Sequence, residues 1–307
     1  MILVSSSVIS CYFVVPGSQE LMKIAEAVNQ AADILNAAAI QEPRREAVSL
    51  LELAIGRDRT FIFAYPDYKL IQKETDVLES LIGRRANREP LQYIRGHQEF
   101  YGLDFIVTPD VLIPRPETEI LVERAIKDLR SKNEVTFCEV GVGSGCICVS
   151  ILHELPSATA VGLDISEKSL EITKKNAERH RVSDRLTLLR SDVFDMLSDQ
   201  RFDMIVSNPP YVPRSDFEAL QPEVRDFEPQ MALTDGLNGL SIIEKIVYDA
   251  PRFLTSGGTL LMEIGFGQSE AVRAIFDTRI WQHLEFLDDL QSIPRIVRAL
   301  TSAETRP

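Results

Sequence analysis

Five short apolar runs, residues 136–140, 158–164, 186–190, 202–207 and 259–264, are separated for the most part by segments of helical periodicity. A strand buried on both faces reads as a continuous apolar and β-branched run, and a helix between two such strands returns the chain to start the next one in parallel. The alternation predicts an α/β fold over residues 113–307: a mostly parallel sheet with helices on both faces.

Upstream the pattern changes. Across residues 22–88, Ile24, Ala27, Val28, Ala31, Ile34 and Leu35 recur at three- and four-residue steps, as do Ala47, Leu50, Leu51 and Ala54. Pro43, Gly56 and Pro66 punctuate these segments and a further amphipathic run covers 74–86, so a small N-terminal helical bundle is expected. Residues 89–112 mix Tyr93, Ile94, Phe100, Tyr101, Phe105 and Val107 with Gly96 and Gly102, the composition of a β-hairpin linker between two domains. Residues 1–21 hold an apolar stretch over 8–15, yet no basic residue precedes Lys23, so the charged leader of a secretory signal is missing. A disordered extension or a misplaced start is expected there.

Composition narrows the partners. No apolar run approaches the roughly 20 residues of a membrane span, and a formal net charge of -13 opposes a phosphate backbone. Protein or small-molecule partners are expected, with no stable nucleic acid and no membrane. Cys11, Cys138, Cys146 and Cys148 read as small core residues of a chain in a reducing cytoplasm, and His97, His153, His180 and His283 are scattered, so no metal site is expected.

The first apolar run leads into Gly141-Val142-Gly143-Ser144-Gly145 and then a helical segment, a junction where glycines let a ligand approach the backbone. A dinucleotide fingerprint has its third glycine at the position occupied by Cys146, one residue later than Gly145, so the spacing points away from nicotinamide cofactors. Asp164 closes the next strand, placed to accept from both ribose hydroxyls, and Asp192, with Val193 and Phe194, follows the third, placed to take an adenine amino group beside apolar side chains. One such feature per strand, in order, predicts a nucleoside-type cofactor site.

The fourth run ends in Asn208-Pro209-Pro210-Tyr211, a turn stiffened by two prolines. The Asn208 side-chain oxygen and the Pro209 carbonyl suit the two hydrogens of a planar NH2 group, with Pro210 and Tyr211 completing the pocket and Tyr211 packing over the acceptor plane. An amide nitrogen is a poor nucleophile, so two acceptors that draw density back onto nitrogen and aim it at a methyl sulfonium supply what the reaction needs.

These residues resemble the N5-glutamine methyltransferases of class I peptide chain release factors, a branch of the class I (Rossmann-like) methyltransferase fold. The resemblance runs from about Met22 to the end and rests on Pro90-Leu91-Gln92-Tyr93-Ile94 with Gly96, Glu99-Phe100, Val111-Leu112-Ile113-Pro114-Arg115-Pro116-Glu117-Thr118-Glu119, the glycine loop and the Asn208 turn. Downstream, Glu223-Val224, Glu228-Pro229, Ala232-Leu233, Asp235-Gly236, Gly239-Leu240 and Glu263-Ile264-Gly265 with Gln268 extend it. Glu139, Val142 and Val193 depart from the commoner Asp, Thr and Trp.

The resemblance implies a seven-stranded sheet with a reversed last strand, and a helical N-terminal domain that helps grip the release factor. It implies that Gly141, Val142, Gly143, Ser144, Gly145, Asp164, Asp192, Val193, Phe194 and Asn208 contact S-adenosylmethionine, leaving S-adenosylhomocysteine as product. Asn208, Pro209, Pro210 and Tyr211 would hold the glutamine of a Gly-Gly-Gln loop. Methylation of a glutamine on a large-subunit ribosomal protein is a sibling reading, against which the Arg84-Arg85 region and the compact bundle lean. Adenine-N6 methylation uses a similar turn, and the acidic charge disfavours it. A binding protein without catalysis and an oxidoreductase are the readings from other classes; the intact Asn208 turn opposes the first and the glycine spacing the second.

Overall fold

A computed structural model describes residues 21–302, and the chain divides between Arg95 and Gly96 into two compact units. The segment expected to be a disordered extension, together with Cys11, lies outside the described residues apart from Leu21.

The first unit is helical: α1 (Ile24–Ala37), α2 (Pro43–Ile55), α3 (Arg59–Ala64), α4 (Gln72–Ala86) and α5 (Leu91–Arg95). Pro43 opens α2, where its missing N–H costs nothing, and Gly56 closes it in the left-handed region. Ile24, Ala27, Val28, Ala31 and Leu35 of α1 meet Ala47, Val48, Leu50 and Leu51 of α2 and Leu78 and Ile82 of α4 in one buried cluster. Tyr93 and Ile94, expected near a hairpin, sit instead in the short helix α5.

Arg85 is turned into this unit. Its Nε and Nη2 donate to the two carboxylate oxygens of Glu46 at 2.5 and 3.3 Å, tying α4 to α2, and Nη1 donates to the Glu89 carbonyl. Arg84 pairs with Glu89, so the positive charge of this dipeptide is engaged within the unit. Glu46→Ala removes the carboxylate facing a guanidinium that is only 6% exposed and is expected to cost about 3 kcal/mol. A fall in the urea midpoint would report it, and an unmoved midpoint would show that solvent already screens the pair.

The second unit begins with the hairpin β1 (His97–Phe100) and β2 (Leu103–Ile106). Residues 96–112 of the expected linker belong to this unit, because Phe100 and Phe105 meet edge to face in its core and Asn176 brackets β2, accepting from Ile106 N at 2.8 Å and donating to Ile106 O at 3.0 Å. There follow α6 (Glu119–Leu129), β3 (Thr136–Val140), α7 (Cys146–Glu154), β4 (Thr159–Asp164), α8 (Glu167–Arg179), β5 (Leu186–Arg190) and β6 (Phe202–Ser207). The chain continues through α9 (Pro222–Arg225), α10 (Gln230–Leu233), α11 (Ser241–Asp249), β7 (Leu254–Glu263), α12 (Ser269–Ile275), β8 (Trp281–Asp288) and β9 (Pro294–Thr301).

The sheet has seven strands in the order β5-β4-β3-β6-β7-β9-β8. The first five pair in parallel, and β9 runs antiparallel to both its neighbours. Side chains alternate across the sheet: Phe137, Met204, Val206 and Leu261 enter the core beneath α6 and α7, while Cys138, Ile205, Leu260 and Met262 enter the one shared with α11 and α12. Cys138, Cys146 and Cys148 are buried free thiols, and burial raises all three, Cys146 to about 12. Among the described residues no helix is long and apolar enough to cross a membrane, and no three His, Cys, Asp or Glu gather as metal ligands.

Candidate active site

Strands β3, β4 and β5 progress toward one edge of the sheet, and β6 and β7 toward the other. The loops after β3 and β6 therefore diverge, leaving a crevice at the carboxyl ends of the strands. Ser207 Oγ donates to Val140 O at 2.7 Å and holds the two strands together at this point. The crevice is a cleft of about 300 Å³ lined by residues of the second unit.

The glycine loop forms its floor. Gly141, Gly143 and Gly145 have φ of 77°, 55° and 80°, where side-chain-bearing residues are strained, yet they are glycines for two different reasons. A Cβ on Gly141 or Gly143 would meet no atom within 4 Å, and both residues line the cleft, so their bare backbone is open to a ligand. A Cβ on Gly145 would lie 2.7 Å from Thr173 Cγ2. Gly145 opens α7 and its bare backbone lets α8 approach at Thr173.

Asp164 braces the loop, its two oxygens accepting from Gly143 N and Ser166 N at 2.9 Å each. A carboxylate has about four acceptor positions, which leaves room for two hydroxyl donors. Burial raises the Asp164 carboxyl above its ordinary range against the pull of those amides. Glu139 lies deeper: its Oε2 accepts from Cys148 N at 2.8 Å, and its buried Oε1 has no partner. Burial pushes this carboxyl up to about 8, and Glu139 lines the cleft, so a cationic donor bound beside it would draw it back to the carboxylate and gain an acceptor.

Val193 has φ of 51°, strained for a β-branched residue at a cost of about 1–3 kcal/mol. Ser191 holds it so, donating to Val193 O at 2.9 Å and accepting from Met196 N at 3.1 Å. Val193 lines the cleft together with Ile147 and Ile165, and so does Asp192, whose Oδ1 pairs with Lys245 Nζ at 3.1 Å. Phe194 turns away and packs its ring 5.1 Å from that of Phe253. It does not line the cleft; an apolar ring beside a core cluster is held there by burial.

The Asn208 turn follows β6. Asn208 and Pro210 line the cleft. Among the described residues, none hydrogen-bonds to Asn208 Oδ1 or to the Pro209 carbonyl. Asn208 Nδ2 donates to Thr118 Oγ1 at 3.2 Å, the Thr118 hydroxyl donates to Glu263 Oε2 at 2.7 Å, and the Tyr211 hydroxyl donates to Glu263 Oε1 at 3.0 Å. Burial, then the charge of Glu263, hold the Tyr211 phenol well above its usual range, so it remains a donor. Glu263 thereby fixes the ring of Tyr211 through its hydroxyl.

The far end of the turn is fixed by Gln268, whose Nε2 donates to Tyr211 O at 2.9 Å while its Oε1 accepts from Gly265 N at 2.8 Å. Arg115, in the cleft wall, donates to the buried Glu228 at 2.5 Å, and Glu228 also accepts from Ile113 N. Thr118, Glu263, Gln268 and Arg115 all lie in the stretches that carry the resemblance, but spacing alone assigns them no task. Lys245 and Ile165 carried no sequence signal.

Residues 26–96 match the family model "PrmC N-terminal domain", and residues 116–221 match "Methyltransferase small domain". The release factor glutamine methyltransferase of Geobacter sulfurreducens is 45% identical over 258 residues, 84% of this chain and 89% of that protein. The release factor glutamine methyltransferase of Koribacter versatilis is 39% identical over 282 residues, 90% of this chain and 98% of that protein. Among solved structures, the hMettl16 catalytic domain shares the fold at a TM-score of 0.54 and 16% identity, over 73% of this chain and 82% of that one. A methyltransferase from Pyrococcus furiosus does so at 0.50 and 14%, over 66% and 91%.

Proposed function

We propose that this chain, which belongs to the release factor glutamine methyltransferase family, transfers a methyl group from S-adenosylmethionine to the side-chain amide nitrogen of the Gly-Gly-Gln glutamine in class I peptide chain release factors. The observation that carries the reading is the Asn208 turn at the switch point of the sheet, with the Asn208 oxygen and the Pro209 carbonyl both without a donor from the described residues.

The residues present fit the cofactor. Gly141 and Gly143 leave their backbone open, Asp164 retains acceptor positions for ribose hydroxyls, and Asp192 with Val193 stands where an adenine edge and face would lie. Val142 and Ser144 line the same floor, and the unpartnered oxygen of Glu139 suits an ammonium group. When bound, S-adenosylmethionine supplies an electrophilic methyl carbon on a sulfonium.

The chain's own residues do the rest. Asn208 Oδ1 and Pro209 O accept the two amide hydrogens, fix the plane of the carboxamide and increase electron density on its nitrogen. The stiff Pro209-Pro210 pair keeps those oxygens from following the substrate's motion. No strong base is required, because an amide nitrogen that has gained a methyl group is strongly acidic and releases its proton readily. Tyr211 anchors the turn.

The helical first unit exposes Phe63, Tyr65 and Ile71, apolar surface suited to a protein partner. It is the part we assign to gripping the release factor, in the cytoplasm, without stable nucleic acid and without a membrane.

Incubation with labelled S-adenosylmethionine and separate candidate acceptors, followed by mass spectrometric mapping, tests the reading. Label on the Gly-Gly-Gln glutamine supports it; label on a ribosomal protein or on a nucleic-acid base instead replaces it. Asp164→Ala is expected to weaken cofactor binding about tenfold to a hundredfold, since hydrogen bonds to a charged group are lost and the Gly143 brace goes with them. Calorimetry on the free enzyme checks this, and an unchanged dissociation constant would remove Asp164 from the site.

A further inference from the structure

We infer that Glu263 is a positioning residue that decides which way round the Asn208 amide is held, and so makes the site select a carboxamide over a carboxylate. The inference rests on the acceptor reading above and concerns Glu263, which acts on Asn208 through Thr118, a residue of the cleft wall.

Glu263 ends β7, buried at 3% exposure. It receives the Thr118 hydroxyl on one oxygen at 2.7 Å and the Tyr211 hydroxyl on the other at 3.0 Å. A threonine hydroxyl has a single proton. With that proton committed to Glu263, the Thr118 oxygen can only accept from its third neighbour, Asn208, 3.2 Å away.

The group that Asn208 turns toward Thr118 must therefore be its NH2, and Oδ1 is left for the cleft that Asn208 lines. Turned over, the amide would set two lone-pair oxygens against each other at a threonine that is only 2% exposed, and the bond would be lost. A buried carboxylate thus acts through one hydroxyl to keep an oxygen facing the substrate. That oxygen welcomes the N–H of a glutamine and repels the oxygen of a glutamate. Nothing in the chemistry of Asn208 alone enforces this, because its two ends are nearly equal in shape.

Thr118→Val keeps the shape of the side chain and removes the acceptor. It is expected to lower kcat at least tenfold with cofactor affinity within twofold of wild type, and Thr118→Ser is expected to restore kcat to within about threefold. A second readout separates orientation from mere support: the binding of a release factor whose target glutamine is replaced by glutamate. Wild type should bind this competitor at least tenfold more weakly than the glutamine form, and in Thr118→Val the difference should shrink to under threefold, because Asn208 is then free to offer its NH2.

Glu263→Gln presents a donor where the hydroxyls need an acceptor, and is expected to shift both quantities in the same direction. It carries the test if Thr118→Val does not fold. Wild-type kcat and wild-type discrimination in the folded variants would overturn the inference while leaving the acceptor reading intact. Failure of the wild-type enzyme to label glutamine at all would overturn both.

Discussion

Asn208→Ala is expected to slow methyl transfer by roughly a thousandfold while cofactor affinity changes by less than about threefold. The size follows from what is lost. Asn208 Oδ1 is one of two acceptors that can bind the amide NH2, and removal of one preorganised group facing a reacting centre commonly costs a factor of a hundred to a thousand. A thousandfold is about 4 kcal/mol of activation free energy, more than one neutral hydrogen bond in water supplies. The excess comes from the rigidity of the turn: Pro209 and Pro210 cannot swing another oxygen into place, and the side chain that would reach across is gone.

The cofactor should scarcely notice, because Gly141, Gly143, Asp164 and Val193 occupy other parts of the cleft and none is hydrogen-bonded to Asn208. Single-turnover rates measured beside cofactor titration separate the two effects. If turnover were retained, the proposed chemistry of the Asn208 turn would be wrong whatever the family.

The parts of this fold that the sequence discloses are those governed by neighbours along the chain. Strands β3 and β6 coincide with apolar runs because both of their faces are covered, so burial marks nearly every position, whereas β5, at an edge of the sheet, is half-exposed or exposed throughout and is legible from its leucines alone. β8 and β9 left no such signature. β8 is an edge strand, its residues half-exposed or exposed apart from Trp281, and part of its anchorage to β9 and α6 comes from charges: Arg124 and Arg298 bridge Asp128 and Glu285. Alternating charge and half-burial looks, in one dimension, like an ordinary solvated surface.

The same distinction runs through the site. Gly141, Asp164 and Asn208 each end a strand, and a strand end is visible in sequence. Thr118 and Glu263 are 145 residues apart in the chain, so no spacing rule connects them, and only the sheet order brings β7 beside β6. The packing of Phe194 is hidden because an aromatic residue in a loop suits a ligand wall and a core equally well, and its ring partner, Phe253, is far away in the chain. The packing of Gly145 is hidden for the same reason: a glycine that admits a ligand and one that admits Thr173 are identical in sequence.

Gly239 offers the sharpest test of whether the position of the turn, and not merely its composition, determines the rate. It has φ of 76°, and a Cβ built on it would lie 2.2 Å from Tyr211 O and 2.8 Å from Tyr211 C. Backbone cannot yield as the end of a side chain can, so Gly239→Ala must push the turn away by about an ångström to restore ordinary contact. Tyr211 is joined to Asn208 through two prolines, which transmit the displacement instead of absorbing it. Misplacement on that scale costs about a hundredfold in rate, and that is the expected loss in kcat. Gly236→Ala serves as the control: its φ is 78°, yet nothing lies within 4 Å of the added carbon. Both variants bear similar backbone strain, about 1 kcal/mol each, and should lose similar amounts from strain alone, while Gly236→Ala should keep kcat within about threefold of wild type. Equal kcat in the two variants would mean that the turn tolerates displacement, and that Asn208 works without the rigidity on which the mechanism depends.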